Sequence, residues 1–223
     1  LVTPSDSDIT SLSDLSGKRI GVAGGPLDKS WLLLRALSKK TLGFDISKKA
    51  TPVFAAPALL IEQMRRGRLD GVLAFWPDVA RLQAEGYKAF LPVTDILASL
   101  SIAKPISLIG YVFRAPDTDF NDIDAFLRAV SNANEMLITQ GDNWDALRPL
   151  MRVQSDAAFT RLQRKFQDGV PGSHDVDIES AARLFDILVT TGGNDLVGKD
   201  TAFDSPLFYV PALAASTEEV SRR

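Results

Sequence analysis

The sequence predicts an α/β fold built on a parallel-type sheet and followed by a strand-poor helical half. Three observations carry this. A unit of short apolar strand, small-residue turn and amphipathic helix occurs three times in the first ninety residues. Strands and helices alternating at this spacing form parallel sheets. From Ala115 onward, stripes at helical spacing dominate and strands are almost lacking.

In the first unit, Lys18–Ala23 is the strand, Gly24–Lys29 the turn, and a helix runs from about Ser30 to Leu42. Asp28 or Ser30 can cap that helix, and Lys39, Lys40 and Gly43 end it with cations and a stop. The second unit is Thr51–Phe54, Ala55-Ala56-Pro57 and a helix to Arg66. The third is Asp70–Phe75, Trp76-Pro77 and a helix to Glu85. Pro57 and Pro77 suit first helical positions, and Gly67 and Gly86 follow the ends. Trp31, Leu34, Leu37 and Leu42, then Leu60, Ile61 and Met64, form core stripes. Lys88–Pro92 reads as a short strand, Thr94–Lys104 as a surface connection, and Ile106–Arg114 as a long strand with a central glycine. Helices follow from Asp119 or Asn121 (stripe Ile123, Phe126, Leu127, Val130, Met136), from Asp142 to Leu150, after Ser155, and from Asp177 to Gly192. The tail from Ala212 is expected to be mobile. Four helices without a sheet fit either a separate helical domain or a second α/β domain whose strands lie elsewhere in the chain. Leu1–Pro4, which reads as the end of a strand, favours the second.

The 223 residues can bury a sizeable core, and 45% of them are hydrophobic. A net charge of -3 gives no basic stripe for nucleic acid. No apolar run approaches the roughly 20 residues that span a bilayer. No signal peptide opens the sequence, so a cytosolic protein or one with its leader removed is expected. The absence of cysteine excludes thiol catalysis, zinc thiolates and disulfides. His174 is the only histidine, in a Pro-Gly-Ser-His-Asp loop, and cannot build a histidine metal site. Gly21-x-x-Gly24-Gly25 has neither dinucleotide nor P-loop spacing. Asp28, Asp70 and Asp78 do not form a calcium-loop spacing. No catalytic constellation, metal site or cofactor is expected.

Parallel strands place all three turns at one sheet edge, where open α/β sheets bind small molecules. Gly24 and Gly25 allow backbone N–H groups to approach a ligand at a helix N-terminus, which favours anions; a tight turn alone explains them equally. Asp28 and Lys29 open the following helix. Lys29 breaks the usual preference for acids there and either faces an anionic ligand or pairs in solvent with Asp28. Ala55 and Ala56 permit close backbone approach. Phe75 and Trp76 can wall a flat or apolar ligand, or pack between domains. Gly110 and Tyr111 sit in the long strand, where glycine marks close approach and the tyrosine hydroxyl is available. Trp31 joins the helix stripe and reads as core.

The stretch Ser11–Val22 (SLSDLSGKRIGV) resembles the opening of the second lobe in periplasmic solute-binding proteins of ABC importers. Gly24-Gly25-Pro26, the spacing Ile61-x-x-Met64-x-x-Gly67-x-Leu69-Asp70-Gly71-Val72 and Trp76-Pro77 are similar to their nitrate, sulfonate, taurine and thiamine-precursor branch. The likeness is strongest over 11–86 and extends to Trp144–Met151 and Gly192–Gly198.

That resemblance implies a type II periplasmic-binding-protein fold: two α/β lobes joined by two crossing strands. Residues 1–10 would be the first crossing, 11–108 the second lobe, 109–114 the second crossing, and 115–223 the helical remainder of the first lobe. The early strands and glycine-rich ligand loop of that first lobe have no counterpart here. The implied function is to bind a small, preferentially anionic solute and deliver it to a membrane permease, in the periplasm, as a non-enzyme that is monomeric when complete. An effector-sensing domain of a transcriptional regulator and a thiamine-precursor enzyme share this lobe design and are the alternatives.

Overall fold

The computed structural model describes residues 1–102, 106, 108–114, 119–153, 155–170, 177–199 and 202–209. The chain divides into two compact units. Unit 1 comprises Leu1–Pro105 and Ile178–Phe203; unit 2 comprises Ile106–Asp177 and Asp204–Arg223. The stretch around His174 and the tail from Ala212 lie outside the described residues.

Unit 1 is built on a five-stranded sheet. Its strands are β1 (Val2–Thr3), β2 (Arg19–Ala23), β3 (Thr51–Ala55), β4 (Gly71–Leu73) and β5 (Lys88–Ala89), in the order β3-β2-β4-β1-β5. β2 runs parallel to both β3 and β4, with Ala23 beside Ala55 and Val22 beside Leu73. The expected three-unit repeat is therefore present. The parallel-type sheet is mixed at its other side, where β1 is antiparallel to both β4 and β5. The stretch expected as a first crossing strand thus contributes Val2 and Thr3 to this sheet. The strand expected over Lys88–Pro92 is only two residues long, because Phe90 and Leu91 both turn their N–H groups onto the Leu1 carbonyl.

Both faces of the sheet are covered. On one face, Ala23, Val72 and Val2 pack with Leu60, Ile61 and Met64 of α2 (Pro57–Arg65) and Leu82 of α3 (Trp76–Ala84). Gly21 is on that face; a Cβ there would lie 2.8 Å from Leu69 Cδ1 and 3.2 Å from Leu60 Cδ2. Strand alternation turns Ile20 and Val22 to the opposite face, where both are fully buried.

The longest helix of unit 1's first segment, α1 (Lys29–Leu42), begins at an Asp28 cap whose Oδ1 accepts the Trp31 N–H at 3.1 Å. It ends at Gly43 in the left-handed conformation. Its run Trp31-Leu32-Leu33-Leu34 is buried throughout, more than one amphipathic stripe requires. The reason is that α1 packs against two further helices, α4 (Val93–Ser99) and α8 (Ile178–Gly192). Neither packing was expected. Residues 94–104 read as a connection, yet Ile96 and Leu97 of α4 are buried, as are Leu100 and Ile102 just after it. The sequence groups α8 with the other late helices, whereas it lies in the same compact unit as the sheet. A short helix, α9 (Asn194–Val197), follows it.

Unit 2 contains α5 (Phe120–Thr139), α6 (Asp142–Met151) and α7 (Asp156–Gly169). Asp119 and Ser155 cap α5 and α7, donated to by the N–H groups of Asn121 and Ala158. Trp144 anchors the centre: its Nε1–H donates to the Leu137 carbonyl at 2.7 Å, and its ring meets Phe166 edge-on. The Arg148 guanidinium lies 4.7 Å over the Phe159 ring. The long strand expected over Ile106–Arg114 is corrected: none of its described residues is in a strand. The residue types favour one, but a strand needs a neighbour for its backbone groups. Ile109 is 83% exposed and Val112 98% exposed, while Tyr111 and Phe113 meet α5 edge-on through the Phe126 and Phe120 rings.

Candidate functional site

The parallel register decides which predicted residues come together. β2, β3 and β4 run the same way, so their carboxyl ends share one edge of the sheet. Ala23 pairs with Ala55, and Leu73 lies beside Val22. The Gly24-Gly25 turn, Ala55-Ala56 and Phe75-Trp76 therefore follow one another along that edge. Each leads into the first turn of α1, α2 or α3.

Gly24 and Gly25 have φ values of +117° and +149°, a region that side chains strain to adopt. A Cβ on Gly24 would lie 3.4 Å from Asp28 Oδ2, while one on Gly25 would meet nothing within 4 Å. The pair thus combines a tight turn at Gly24 with open backbone at Gly25. The open choice of helix cap is settled for Asp28. α1 consequently carries a carboxylate of its own at its positive end. α2 and α3 start at Ala56 and Phe75 without a side-chain cap. Lys29 is the first residue of α1 and is half-buried.

Phe75 and Trp76 are 51% and 48% exposed. Leu27, in the turn before α1, and Leu59, in the first turn of α2, are also exposed. Phe54, one residue before the end of β3, is 38% exposed and meets the buried Trp31 ring edge-on at 6.2 Å. These five are the exposed large apolar side chains of unit 1 among the described residues, and all sit at or next to this edge. Leu27, Leu59 and Phe54 were not singled out from the sequence. Their signal was available, since large apolar residues in or beside turns have no helical or strand stripe to join.

Gly110 and Tyr111 are not part of this edge: they belong to unit 2, outside any strand. A Cβ on Gly110 would meet nothing within 4 Å, so close backbone approach does not explain that glycine. An open groove lined by Ala36, Lys39, Leu100, Ile187 and Thr190 lies between α1 and α8, and none of the predicted residues lines it. Among the described residues, no cluster of three or more His, Cys, Asp or Glu side chains is placed to hold a metal ion. No described helix is long and apolar enough to cross a membrane.

Residues 1–144 match the model of the family described as NMT1/THI5 like. No curated protein sequence matches the chain. Among solved structures, the alkanesulfonate-binding protein SsuA from Xanthomonas axonopodis pv. citri, bound to MOPS, is similar with a TM-score of 0.65 at 17% identity. The match covers 93% of this chain and 68% of that one. The periplasmic aliphatic sulphonate binding protein SsuA from Escherichia coli is similar with a TM-score of 0.55 at 18% identity, covering 94% of this chain and 64% of that one. The chain thus spans about two thirds of the length of each. At these identities the likeness is one of fold, the α/β fold of periplasmic binding proteins, in part.

Proposed function

The chain belongs to the NMT1/THI5-like family, and on that premise we propose that it is the solute-binding component of an ABC-type importer. It would hold a small solute at the carboxyl edge of β2, β3 and β4 and deliver it to a membrane permease, working in the periplasm as a binding protein rather than an enzyme. The observation that carries this reading is the gathering of unit 1's exposed apolar side chains, among the described residues, at the edge where the Gly25 backbone is open. Exposed apolar groups concentrated beside polar backbone are the usual make-up of a small-ligand site. The fold likeness to two proteins named for binding sulfonates supports the same reading.

Sulfonates are the first solutes to try, followed by nitrate, pyrimidines and small organic acids. A solute held at 100 times its Kd should stabilise the protein by about 2.7 kcal/mol, visible as a thermal shift. The Phe75→Ala/Trp76→Ala double variant is the direct test of the site. Both rings are half exposed, so stability should change by no more than about 0.5 kcal/mol. Affinity for the solute that shifts the wild type should fall at least tenfold by calorimetry. Unchanged affinity would remove this edge from the binding site. Gly25→Val is a poorer probe, because its φ of +149° makes any side chain strained whether or not a ligand is bound.

An anionic solute needs a positive partner. Asp28 offsets the α1 N-terminus, which leaves Lys29 as the charge to test. Lys29→Ala should weaken binding of a sulfonate up to about fivefold, the effect of losing an ion pair of about 0.2–1 kcal/mol near the surface. Lys39→Ala is the control at the far end of the same helix. Lys39 lies 3.4 Å from Asp45, so its loss should lower stability and leave affinity unchanged. Equal affinities for the two variants would mean that Lys29 does not face the solute.

A further inference from the structure

The C-terminus of α4 closes in an unusual way. Ile102 N–H donates to the Leu97 carbonyl at 2.9 Å and Ser101 N–H to the Ala98 carbonyl at 3.0 Å. This is the double-bonded helix stop that normally has glycine at the left-handed position. Here that position is Ser101, with φ of +68°. A non-glycine residue there is strained and persists only when its surroundings hold it.

Two cations from two other helices supply the hold. Lys40 of α1 donates to the Ser99 carbonyl at 2.7 Å and approaches Ser101 Oγ at 3.4 Å. Arg183 of α8 donates to the Ser101 carbonyl at 3.1 Å. Cations satisfy the orphan carbonyls at a helix C-terminus and favour its negative end. The positions of the partners along the chain give this arrangement a consequence. The chain passes from unit 1 to unit 2 after Pro105, returns at Ile178 and leaves again after Phe203. Ser101 lies just before the exit and Arg183 just after the return. The Arg183–Ser101 bond therefore joins the roots of the first two of these three connections within unit 1.

We propose that Lys40 and Arg183 form a clasp on the Ser101 turn that roots the first two of the three connections to unit 2 in unit 1. At these two connections, movement of unit 2 is then borne beyond the clasp, not within α4 or the start of α8. This does not depend on which solute is bound, or on whether one is.

Hydrogen exchange on the whole chain tests it. In the Lys40→Met/Arg183→Gln double variant, the Ser101 and Ile102 amides should exchange at least tenfold faster, with the Leu32–Leu34 amides of α1 unchanged. Adding Ser101→Gly, which suits the left-handed position, should restore most of that protection. Unaltered exchange in the double variant would show that the cations do not hold the turn. Faster exchange that glycine does not rescue would show that the strained serine is not what they hold. Spin labels on α3 and α7 report the second half of the proposal: the distance distribution between them should broaden in the double variant and narrow again with Ser101→Gly. An unchanged width would overturn the rooting role and leave only a local contact.

Discussion

Trp31→Ala is expected to cost about 3–5 kcal/mol of stability, the range for emptying a large aromatic site in a core. Trp31 is 2% exposed and sits in the first turns of α1, the helix on which α4 and α8 both pack. Its ring also meets Phe54 of β3 edge-on, tying the helix to the sheet's outer strand. Removing the indole thus empties a junction of helix and sheet. Urea titration followed by far-UV circular dichroism measures the loss. A cost under about 1 kcal/mol would mean that the site relaxes and is not the junction described. Trp76→Ala is the informative contrast. Both tryptophans lie near the same end of the sheet, but Trp76 is half exposed and its loss should hardly register in stability.

That contrast also shows what the sequence can and cannot distinguish. Trp31 was legible as core because Leu34, Leu37 and Leu42 continue its stripe at helical spacing. Phe75 and Trp76 were legible as edge residues because Pro77 marks the helix start directly after them. The three strand–turn–helix units, and so the common edge, follow from such local signals. What escaped was set by pairing and packing over long distances. β1 joins the sheet antiparallel, seventy residues from its partner in β4, and nothing in Val2-Thr3 states a direction. Residues 106–114 have the composition of a strand, but composition does not supply the neighbouring strand that would hold it. α4 was missed because its stop is Ser101 where glycine would have announced it. Its cations come from residues 59 and 82 positions away, counted from Ser99 and Ser101. α8 was placed with the wrong company for the same reason: its partner α1 is more than a hundred residues earlier. Leu27 was passed over because a lone apolar residue in a turn forms no pattern, and Leu59 because it adjoins the buried Leu60-Ile61 pair of α2 in sequence.

The second large effect is expected at Asp45, where Asp45→Ala should cost about 3 kcal/mol at neutral pH. Asp45 is 7% exposed and follows the α1 stop. Both its oxygens lie 3.2 Å from Arg35 Nε, Oδ2 accepts from Arg35 Nη2 at 3.0 Å, and Lys39 Nζ lies 3.4 Å away. The Ser47 N–H donates to Oδ1 at 3.0 Å, capping the short turn that leads to β3. Burial pushes this carboxyl up, but the Arg35 and Ser47 hydrogen bonds and the Arg35 charge outweigh it and hold the group well below the usual carboxylate range. The sign of the pH effect follows. A carboxyl depressed in the folded state stabilises fully above its unfolded pKa of about 3.9, and that contribution fades as pH falls toward the folded value. Wild type and Asp45→Ala should therefore differ most at pH 7, almost as much at pH 5, and progressively less below about pH 4. Arg35→Met should lose stability too, because it leaves the buried carboxylate without its main partner. Denaturant titrations of the three proteins at pH 7, 5 and 3 measure this. A wild-type advantage over Asp45→Ala that stayed constant from pH 7 to pH 3 would mean that packing, not the ionised carboxylate, ties α1 to the turn before β3.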